Sequence, residues 1–399
     1  MEIQIILPHK RARPIHCAVR RAPVIAIRLA ALIILLIPVA MNAADDDDLA
    51  LITKDMGISL WDESFTIRTG IGYDDNVFLN NTQLRGSPFF INGLDMTILR
   101  LPVDAWEYDF FVTGDDIRYW RDVGVGSQDL WLGVAKVQRS FGDDWQAGAT
   151  FSYAYQAQVL DLLTSEGALS HAPTKVIGNT ISLRPFVRRT LGTNYWVELQ
   201  AEGTRQFYGA PAFSYWSAGP KITLGRSYGF HSDVALSYAI LDQPFDTESR
   251  EALNGASLAG PRLAYLTQKV ELLWRHHWDE KHVWANTARL GFDSIDDNGS
   301  GYFNYYRSGC SDELDYNAHG WTITALASFQ YYDYPYQTAD DPALDKLYET
   351  GFTLNLHVEK HLTKWLGLFA EYEFEHTFSN DSVEQYAVNT IKGGLLWDF

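Results

Sequence analysis

The sequence predicts an all-β protein, a transmembrane antiparallel up-and-down β-barrel of about 16 strands, with 14 or 18 strands as the alternatives. Three observations carry this prediction. Apolar and polar residues alternate over long stretches of the chain, short turns alternate with longer loops, and the last alternating stretch closes on an aromatic residue. Each observation is typical of strands that cross a bilayer within a closed sheet.

The composition excludes several other classes of protein. The 399 residues include 14% aromatic side chains, too many for a disordered chain, and a net charge of -18, which disfavours a nucleic-acid partner. No run of about 20 apolar residues follows the first 43 positions, which excludes a bundle of membrane-spanning helices. Two cysteines, Cys17 and Cys310, cannot build a disulfide framework, and Cys310 is interpreted as a thiol in a loop or at a strand end.

The amino-terminal segment predicts export. Six basic residues precede the apolar run Leu29–Val39, and small residues follow it, which is the layout of a cleaved secretory signal over residues 1–43. A single membrane anchor is the alternative. Residues 44–63 form a short acidic segment in which Asp45–Asp48 is interpreted as a solvated start. Residues 64–399 are then the barrel, with a net charge of -23 on the mature chain.

Period-two alternation is clearest in four stretches of the mature chain. One face of residues 146–158 carries alanines and aromatic residues, and the other face carries Gln, Gly, Thr and Ser. The same pattern recurs over 321–331, 348–359 and 366–374. These stretches exceed the 5–6 residues typical of globular strands and match the roughly 9–11 residues that a tilted membrane-spanning strand needs.

The connections between these strands also alternate in length. Short turns are predicted near residues 104–106, 142–144, 192–194, 229–232, 279–282, 317–320 and 362–364. Longer loops are predicted near residues 74–92, 121–128, 161–175, 209–213, 246–260, 296–300, 338–345 and 379–384. This asymmetry is typical of outer-membrane barrels, whose short turns are periplasmic. A soluble sandwich or propeller is the alternative that the same alternation permits.

The carboxyl-terminal strand predicts assembly into the outer membrane. Phe399, Trp397, Leu395 and Ile391 share one face, and Leu396 is the single apolar exception on the other face. An alternating strand that ends in an aromatic residue looks like the signal read by the barrel assembly machinery. We therefore expect Phe399, Trp397 and Leu395 to form the assembly signal, with outer-membrane lipid and this machinery as partners.

Two short motifs resemble a known group of barrels. Gly72-Tyr-Asp-Asp-Asn-Val-Phe78 is similar to the opening strand of the β-barrel porin 2 group of outer-membrane proteins, and Phe378-Ser-Asn-Asp381 is similar to its last hairpin. The resemblance implies a porin-like barrel, and association of group members with exopolysaccharide or exosortase systems implies polysaccharide export components as partners. Similar end motifs occur in the barrel domain of surface lipoprotein assembly modifiers.

The polar faces predict a charged lumen. Candidate lumen residues are the acids Glu349, Glu359, Glu371, Glu373 and Glu375 and the bases Arg184, Lys269, Arg289 and Lys392. Further candidates are Arg68, Asp109, Asp115, Lys136, Glu198, Glu202, Asp233, Glu271, Arg275 and Asp293. The row Glu371, Glu373 and Glu375 would either attract cations or form a polar wall paired with Lys392 or Lys269 on other strands.

No sequence motif points to catalysis. The chain has neither an HExxH nor a GxSxG motif, so we expect no enzymatic activity, no cofactor and no metal. The prediction is a porin-like channel for passive passage of small solutes or a polymer. The alternatives are an exopolysaccharide export component, a barrel for surface protein or lipoprotein translocation and assembly, and a closed structural barrel that binds partners through its loops.

Overall fold

The computed structural model describes residues 61–79, 81, 84–100, 105–120, 126–163, 171–209, 214–339 and 345–399, with the side chains of 158–175 and 383 excepted. The predicted signal over 1–43 and the Asp45–Asp48 tract lie outside these residues. No helix in the described part of the chain has the length and apolar character that a membrane-spanning helix needs.

Sixteen strands form one closed antiparallel barrel, which confirms the predicted fold. Each strand pairs with its neighbours in the chain, and β1 pairs with β16 to close the sheet. The strands are β1 Trp61–Asp74, β2 Ser87–Arg100, β3 Trp106–Tyr119, β4 Ser127–Phe141, β5 Trp145–Leu163, β6 His171–Leu191, β7 Tyr195–Tyr208, β8 Tyr215–Tyr228, β9 Ser232–Glu251, β10 Ser257–His277, β11 Trp284–Asp297, β12 Tyr305–Ala318, β13 Trp321–Thr338, β14 Lys346–His361, β15 Leu366–Ser379 and β16 Tyr386–Asp398.

The outer surface of the barrel is mostly apolar. Its polar exceptions include the thiol of Cys310, which lies within β12 and faces outward, so its interpretation as a thiol in a loop or at a strand end is wrong. Residues that pair across neighbouring strands point to the same side of the sheet, and Ile71 pairs with Phe90 on the outer side. Their side chains are 55% and 50% exposed, as expected where lipid rather than protein covers them. Because only a closed sheet satisfies every backbone group in hydrocarbon, this barrel with an apolar exterior is a bacterial outer-membrane protein.

Aromatic side chains mark the short-turn edge of the barrel. Trp106, Trp145, Tyr195 and Trp321 each begin a strand there, and each pairs across the sheet with an arginine or lysine. The cation lies over the ring in every pair: Arg139 over Trp106 at 5.3 Å, Arg189 over Trp145 at 5.1 Å, Arg226 over Tyr195 at 5.5 Å and Lys360 over Trp321 at 4.7 Å. We call these four pairs the cation–π edge.

Two predicted loops are largely strand. Strand β9 continues to Glu251, where it pairs with Ser257 of β10, so only Ala252–Ala256 turns the chain. The predicted long loop over 246–260 is therefore wrong, because backbone pairing extends the hairpin beyond the apolar alternation. Strands β5 and β6 likewise extend to Leu163 and from His171, within the loop predicted over 161–175.

Glycines on the inner face let two phenylalanine rings cover the seam between β1 and β16. A Cβ atom at Gly72 would lie 2.3 Å from the ring of Phe89, and one at Gly70 would lie 3.0 Å from the ring of Phe369. Leu396, the apolar exception of the last strand, is fully buried in the same cluster. The exception therefore fills the inner surface where the sheet closes.

Candidate functional site: the charged lumen wall

The strand register places every predicted lumen charge on the inner face of the barrel. Lys392 pairs with Glu371 and with Gly72, and Lys269 pairs with Asp293. The other strands follow from the same alternation, in which neighbouring outward positions carry the exposed apolar side chains. The placement agrees with the sequence prediction, while the roles of these residues stay a prediction.

A chain of ion pairs crosses β14, β15 and β16. Lys392 Nζ lies 3.1 Å from Glu371 Oε1, and His357 Nδ1 lies 3.2 Å from Glu371 Oε2. The other ring nitrogen of His357 lies 2.9 Å from Glu359 Oε1, and Asn355 donates to Glu371 at 3.0 Å. Glu371 and Glu359 therefore belong to a fixed polar wall, one of the two interpretations of the acidic row.

A second group of charges continues the wall on β1, β2 and β3. Arg68 lies 3.1 Å from Asp95 and 3.2 Å from Asp115, so one guanidinium bridges two carboxylates on successive strands. Thr113 also donates a hydrogen bond to Asp95 at 2.5 Å. This group has one base for two acids, which leaves the β1–β3 wall negative.

Five acids of the candidate set form no ion pair with a base among the described residues: Glu202, Glu271, Glu349, Glu373 and Glu375. Glu349 and Glu373 make neither a hydrogen bond nor an ion pair in the described part of the chain, and Tyr386 donates its hydroxyl to Glu375. Of the row Glu371, Glu373 and Glu375, for which pairing with Lys392 or Lys269 was one interpretation, Glu371 pairs with Lys392, while Glu373 and Glu375 form no ion pair among the described residues. Lys392 is engaged by Glu371, and Lys269 lies on β10, five strands from β15. Burial of adjacent carboxylates without cations concentrates negative potential on β14 and β15.

The opposite side of the barrel holds bases without ion-pair partners. Arg184 on β6 lies eight strands from β14, so the two strands face each other across the lumen. Within the described residues, Arg184, Lys221, Lys269 and Arg289 form no ion pair within 4 Å, although Lys269 stands beside Asp293 in the register. Other bases on this side are paired, as Arg188 is with Glu198 at 2.8 Å. Glu202 on β7 and Glu271 on β10 also form no ion pair among the described residues, so this side holds four such bases against two such acids. The lumen is thus polarised from the acidic β14–β15 wall toward β6–β11.

The inner face of β4 carries three aliphatic residues where the pattern predicts polar ones. Leu130, Leu132 and Val134 pair with inner-face residues of β3, among them Asp115 opposite Leu130. Leu130 is 42% exposed, and Phe111 beside Val134 is 37% exposed. Part of the lumen wall is therefore apolar and accessible.

The sequence analysis missed several charged residues of the wall. Asp95, Lys221, Arg307 and His357 face inward, and Arg307 pairs with Asp293 through its Nε at 2.8 Å. For His357 the signal was present, since it occupies a polar position of the 348–359 alternation. Arg307 lies in β12, whose outer face is polar, so alternation could not assign its side.

An aromatic cluster fills the loop end of the lumen on one side. Phe245, Tyr265, Phe303 and Tyr305 are buried together, and Tyr332 packs against them. Asp297 fixes the covering turn by accepting hydrogen bonds from the backbone nitrogens of Gly299, Gly301 and Phe303. These rings pack the barrel mouth instead of presenting their faces to a solute.

The predicted assembly residues lie at the outer side of the closing strand. Trp397 pairs with Ile67 and Leu395 pairs with Thr69 on β1. The Phe399 backbone nitrogen donates to the Phe65 carbonyl at 2.9 Å, and the Phe399 side chain is 77% exposed. The backbone of Phe399 thus continues the pairing between β16 and β1. Its ring stays exposed at the end of the strand, where another protein can contact it.

The described residues include no group of three His, Cys, Asp or Glu side chains arranged to hold a metal ion. The expected absence of a cofactor stays a prediction.

Of the comparisons with known proteins, the one with solved structures finds matches. No protein-family model matches the chain, and no curated protein matches it. Among solved structures, it is similar to a loop L8 deletion mutant of OmpT, an outer membrane protein of Vibrio cholerae, at 12% identity and a TM-score of 0.38, over 86% of this chain and 100% of the other. OccAB1 of Acinetobacter baumannii matches at 9% identity and a TM-score of 0.42, over 85% and 96%. OprD of Pseudomonas aeruginosa matches at 10% identity and a TM-score of 0.36, over 85% and 94%. Similarity at this level carries no argument about the present chain.

Proposed function

We propose that this outer-membrane barrel is a porin-like channel that passes small hydrophilic solutes and prefers cations. The observation that carries the proposal is the unpaired acidic patch of Glu349, Glu373 and Glu375 on the inner wall, in a lumen whose candidate acids outnumber its bases. Sixteen strands spaced about 4.8 Å apart and tilted by about 40° give a barrel roughly 30 Å wide, the size class that leaves an aqueous channel.

The mechanism is passive and follows from the wall. A solute enters from the loop edge, exchanges part of its hydration for polar wall groups and leaves at the short-turn edge along its gradient. Carboxylates without cations raise the local concentration of positive ions, while the unpaired bases near Arg184 orient dipolar solutes across the lumen. We propose no catalytic role for the chain and no cofactor.

The test is single-channel recording of the refolded mature protein in a planar bilayer, with the reversal potential measured in a salt gradient. Open currents with a cation-selective reversal potential are the expected result. A barrel that is folded, shown by heat-modifiable migration in gels, and yet silent contradicts the channel. The exopolysaccharide-export and surface-protein alternatives, suggested by the Gly72–Phe78 and Phe378–Asp381 motifs, would then take precedence.

We also propose that the barrel assembly machinery inserts the protein by reading Phe399, Trp397 and Leu395. The exposed ring of Phe399 at the end of the seam supports this proposal.

A further inference from the structure

A strip of apolar side chains crosses the inner face of β2, β3 and β4. Leu99 occupies an inward position of β2, and Phe111 on β3 pairs with Val134 on β4. The strip continues along β4 at every second residue, through Leu132 to Leu130, so its side chains share the inner face. We call Leu99, Phe111, Leu130, Leu132 and Val134 the inner apolar strip.

The inner apolar strip is open to the lumen. Leu99, Phe111 and Leu130 are 39%, 37% and 42% exposed. The phenylalanines that face inward at the seam behave differently, since Phe89 and Phe369 are 1% and 5% exposed. Apolar side chains in contact with water gain free energy when another apolar group covers them. The strip therefore offers a contact that the seam does not offer.

The strip is long enough to hold an extended apolar group. At its upper end Leu130 pairs with Asp115, and at its lower end Leu99 pairs with Asp109, six residues earlier on β3. Six residues of a strand span about 20 Å. An alkyl chain of several carbons, or an aromatic ring with a linker, can lie along this length.

The charges beside the strip are negative on balance. Arg68 lies 3.1 Å from Asp95 and 3.2 Å from Asp115, so one base serves two acids near the upper end. At the lower end Lys136 lies 3.8 Å from Asp109, at the outer limit of an ion pair. Three carboxylates and two cations leave a net negative charge, which complements a solute with one positive charge.

We infer that the inner apolar strip is a binding site for amphipathic cations, solutes that join an alkyl or aromatic group to a single positive charge. The apolar group lies along the strip, and the positive charge lies beside Asp115 or Asp109. This inference rests on the proposed function, because it names the class of solute that a cation-preferring channel with this wall selects. An amphipathic anion would cover the same strip but would bring its charge to a negative surface.

The test is a series of quaternary ammonium ions from tetramethylammonium to hexyltrimethylammonium, which differ by five methylene groups. Two measurements use the refolded mature protein: block of the single-channel current at low salt, and isothermal titration calorimetry, which needs no current. A fully buried methylene strengthens binding about fourfold. The strip covers one side of the chain, so we expect about twofold per methylene and roughly 30-fold over the series. Hexanesulfonate, with the same chain and a negative charge, should bind more weakly than hexyltrimethylammonium.

Matched variants assign the effect to the strip. Leu130→Ser, Leu132→Ser and Val134→Ser together remove its β4 side chains, so the increase over the series should fall to about fourfold. The control is a triple variant that replaces inward leucines of β9, β10 and β13, and it should keep the wild-type increase: Leu241→Ser, Leu273→Ser and Leu326→Ser. Heat-modifiable migration in gels shows that both variants are folded.

A separate variant tests the charge. Asp115→Asn leaves Arg68 with Asp95 as its acidic partner and removes the excess negative charge at the upper end of the strip. It should weaken binding of every ammonium ion in the series by the same factor and leave the dependence on chain length unchanged.

The outcomes separate this inference from the proposed function. Cation-selective currents with equal block by tetramethylammonium and hexyltrimethylammonium overturn the inference and leave the channel standing. Equal binding of hexanesulfonate, or equal loss of the increase in the two triple variants, overturns it as well. A folded but silent barrel contradicts the channel, and calorimetry then decides alone. A 30-fold increase that the β4 variant loses would keep the strip as a binding site, and its absence would overturn the inference.

Discussion

Ion selectivity gives the sharpest test of the acidic patch. The perturbation is Glu349→Gln together with Glu373→Gln, which removes two charges that have no basic partner in the described chain while keeping the side-chain shape. In a barrel roughly 30 Å wide, side chains of the wall bring these charges to about 10 Å from the axis. At that distance a unit charge changes the energy of a monovalent ion by about 0.4 kcal/mol in water.

Salt sets how much of this energy remains. At 0.01 M ionic strength the screening length is about 30 Å, so roughly 0.3 kcal/mol per charge remains. The charge attracts cations and repels anions equally, so each neutralisation lowers the cation-to-anion permeability ratio about threefold, and the double variant lowers it roughly sevenfold. At 1 M salt the screening length is about 3 Å and the difference between variant and wild type should vanish.

The assay is the reversal potential of single channels at several salt concentrations. Two controls bracket it: Glu349→Asp with Glu373→Asp should keep the wild-type ratio, and Lys269→Gln should raise the ratio about threefold at low salt. A double variant whose selectivity equals that of the wild type at 0.01 M, in channels of unchanged conductance, would refute the assignment of selectivity to this patch.

Three further predictions concern assembly and stability. Gly394→Val should destabilise the barrel by about 1–3 kcal/mol or prevent closure, because a Cβ atom there would lie 2.0 Å from the Thr69 carbonyl; the urea midpoint of unfolding measures it, with Gly291→Val in β11, whose Cβ meets nothing within 4 Å, as the control for loss of a strand glycine. Deletion of Phe399 should slow insertion in cells while refolding in detergent stays near normal, and equal loss in both settings would mean a structural role only. Hydrogen bonds from the Val283 and Trp284 backbone nitrogens lower the pKa of Asp279, so the turn gains stability above the usual carboxylate range that disappears as pH falls through the lowered pKa; Asp279→Asn should therefore be less stable than wild type at pH 7 and equal to it in strong acid, by urea unfolding at both values.

Much of the fold was predictable because lipid enforces the pattern. A membrane-spanning strand must be apolar on its outer face, so alternation predicted the strands and six of the short turns from the sequence, while the turn predicted near residues 104–106 lies mostly outside the described residues. Alternation is much less clear in β12, Tyr305–Ala318, because Ser308 and Asp312 break its apolar outer face. The extended β9–β10 hairpin was missed because above the membrane neither face must be apolar, and backbone pairing alone continues the strands.

The sequence predicts on which face of the sheet the candidate residues lie, but not which of them form ion pairs. Side chains alternate between the two faces of a strand with a period of two residues. The sequence therefore placed Glu371 and Lys392 correctly on the inner face. Which acid finds a base depends on the stagger between strands, which alternation does not encode. The stagger between β15 and β16 puts Lys392 beside Glu371, and Glu373 forms no ion pair within the described residues.

The cation–π edge has a mechanical consequence for the way the barrel sits in its bilayer. Rings and guanidinium groups at the level of the phosphates hold that edge at a fixed height, because moving it either way separates charge from headgroup or ring from the interface. Arg189 over Trp145 and Lys360 over Trp321 are six or more strands apart, so the edge resists tilt as well as vertical displacement. Any difference between bilayer thickness and barrel height must then be absorbed at the loop edge, where the leaflet has to thin or thicken around the protein.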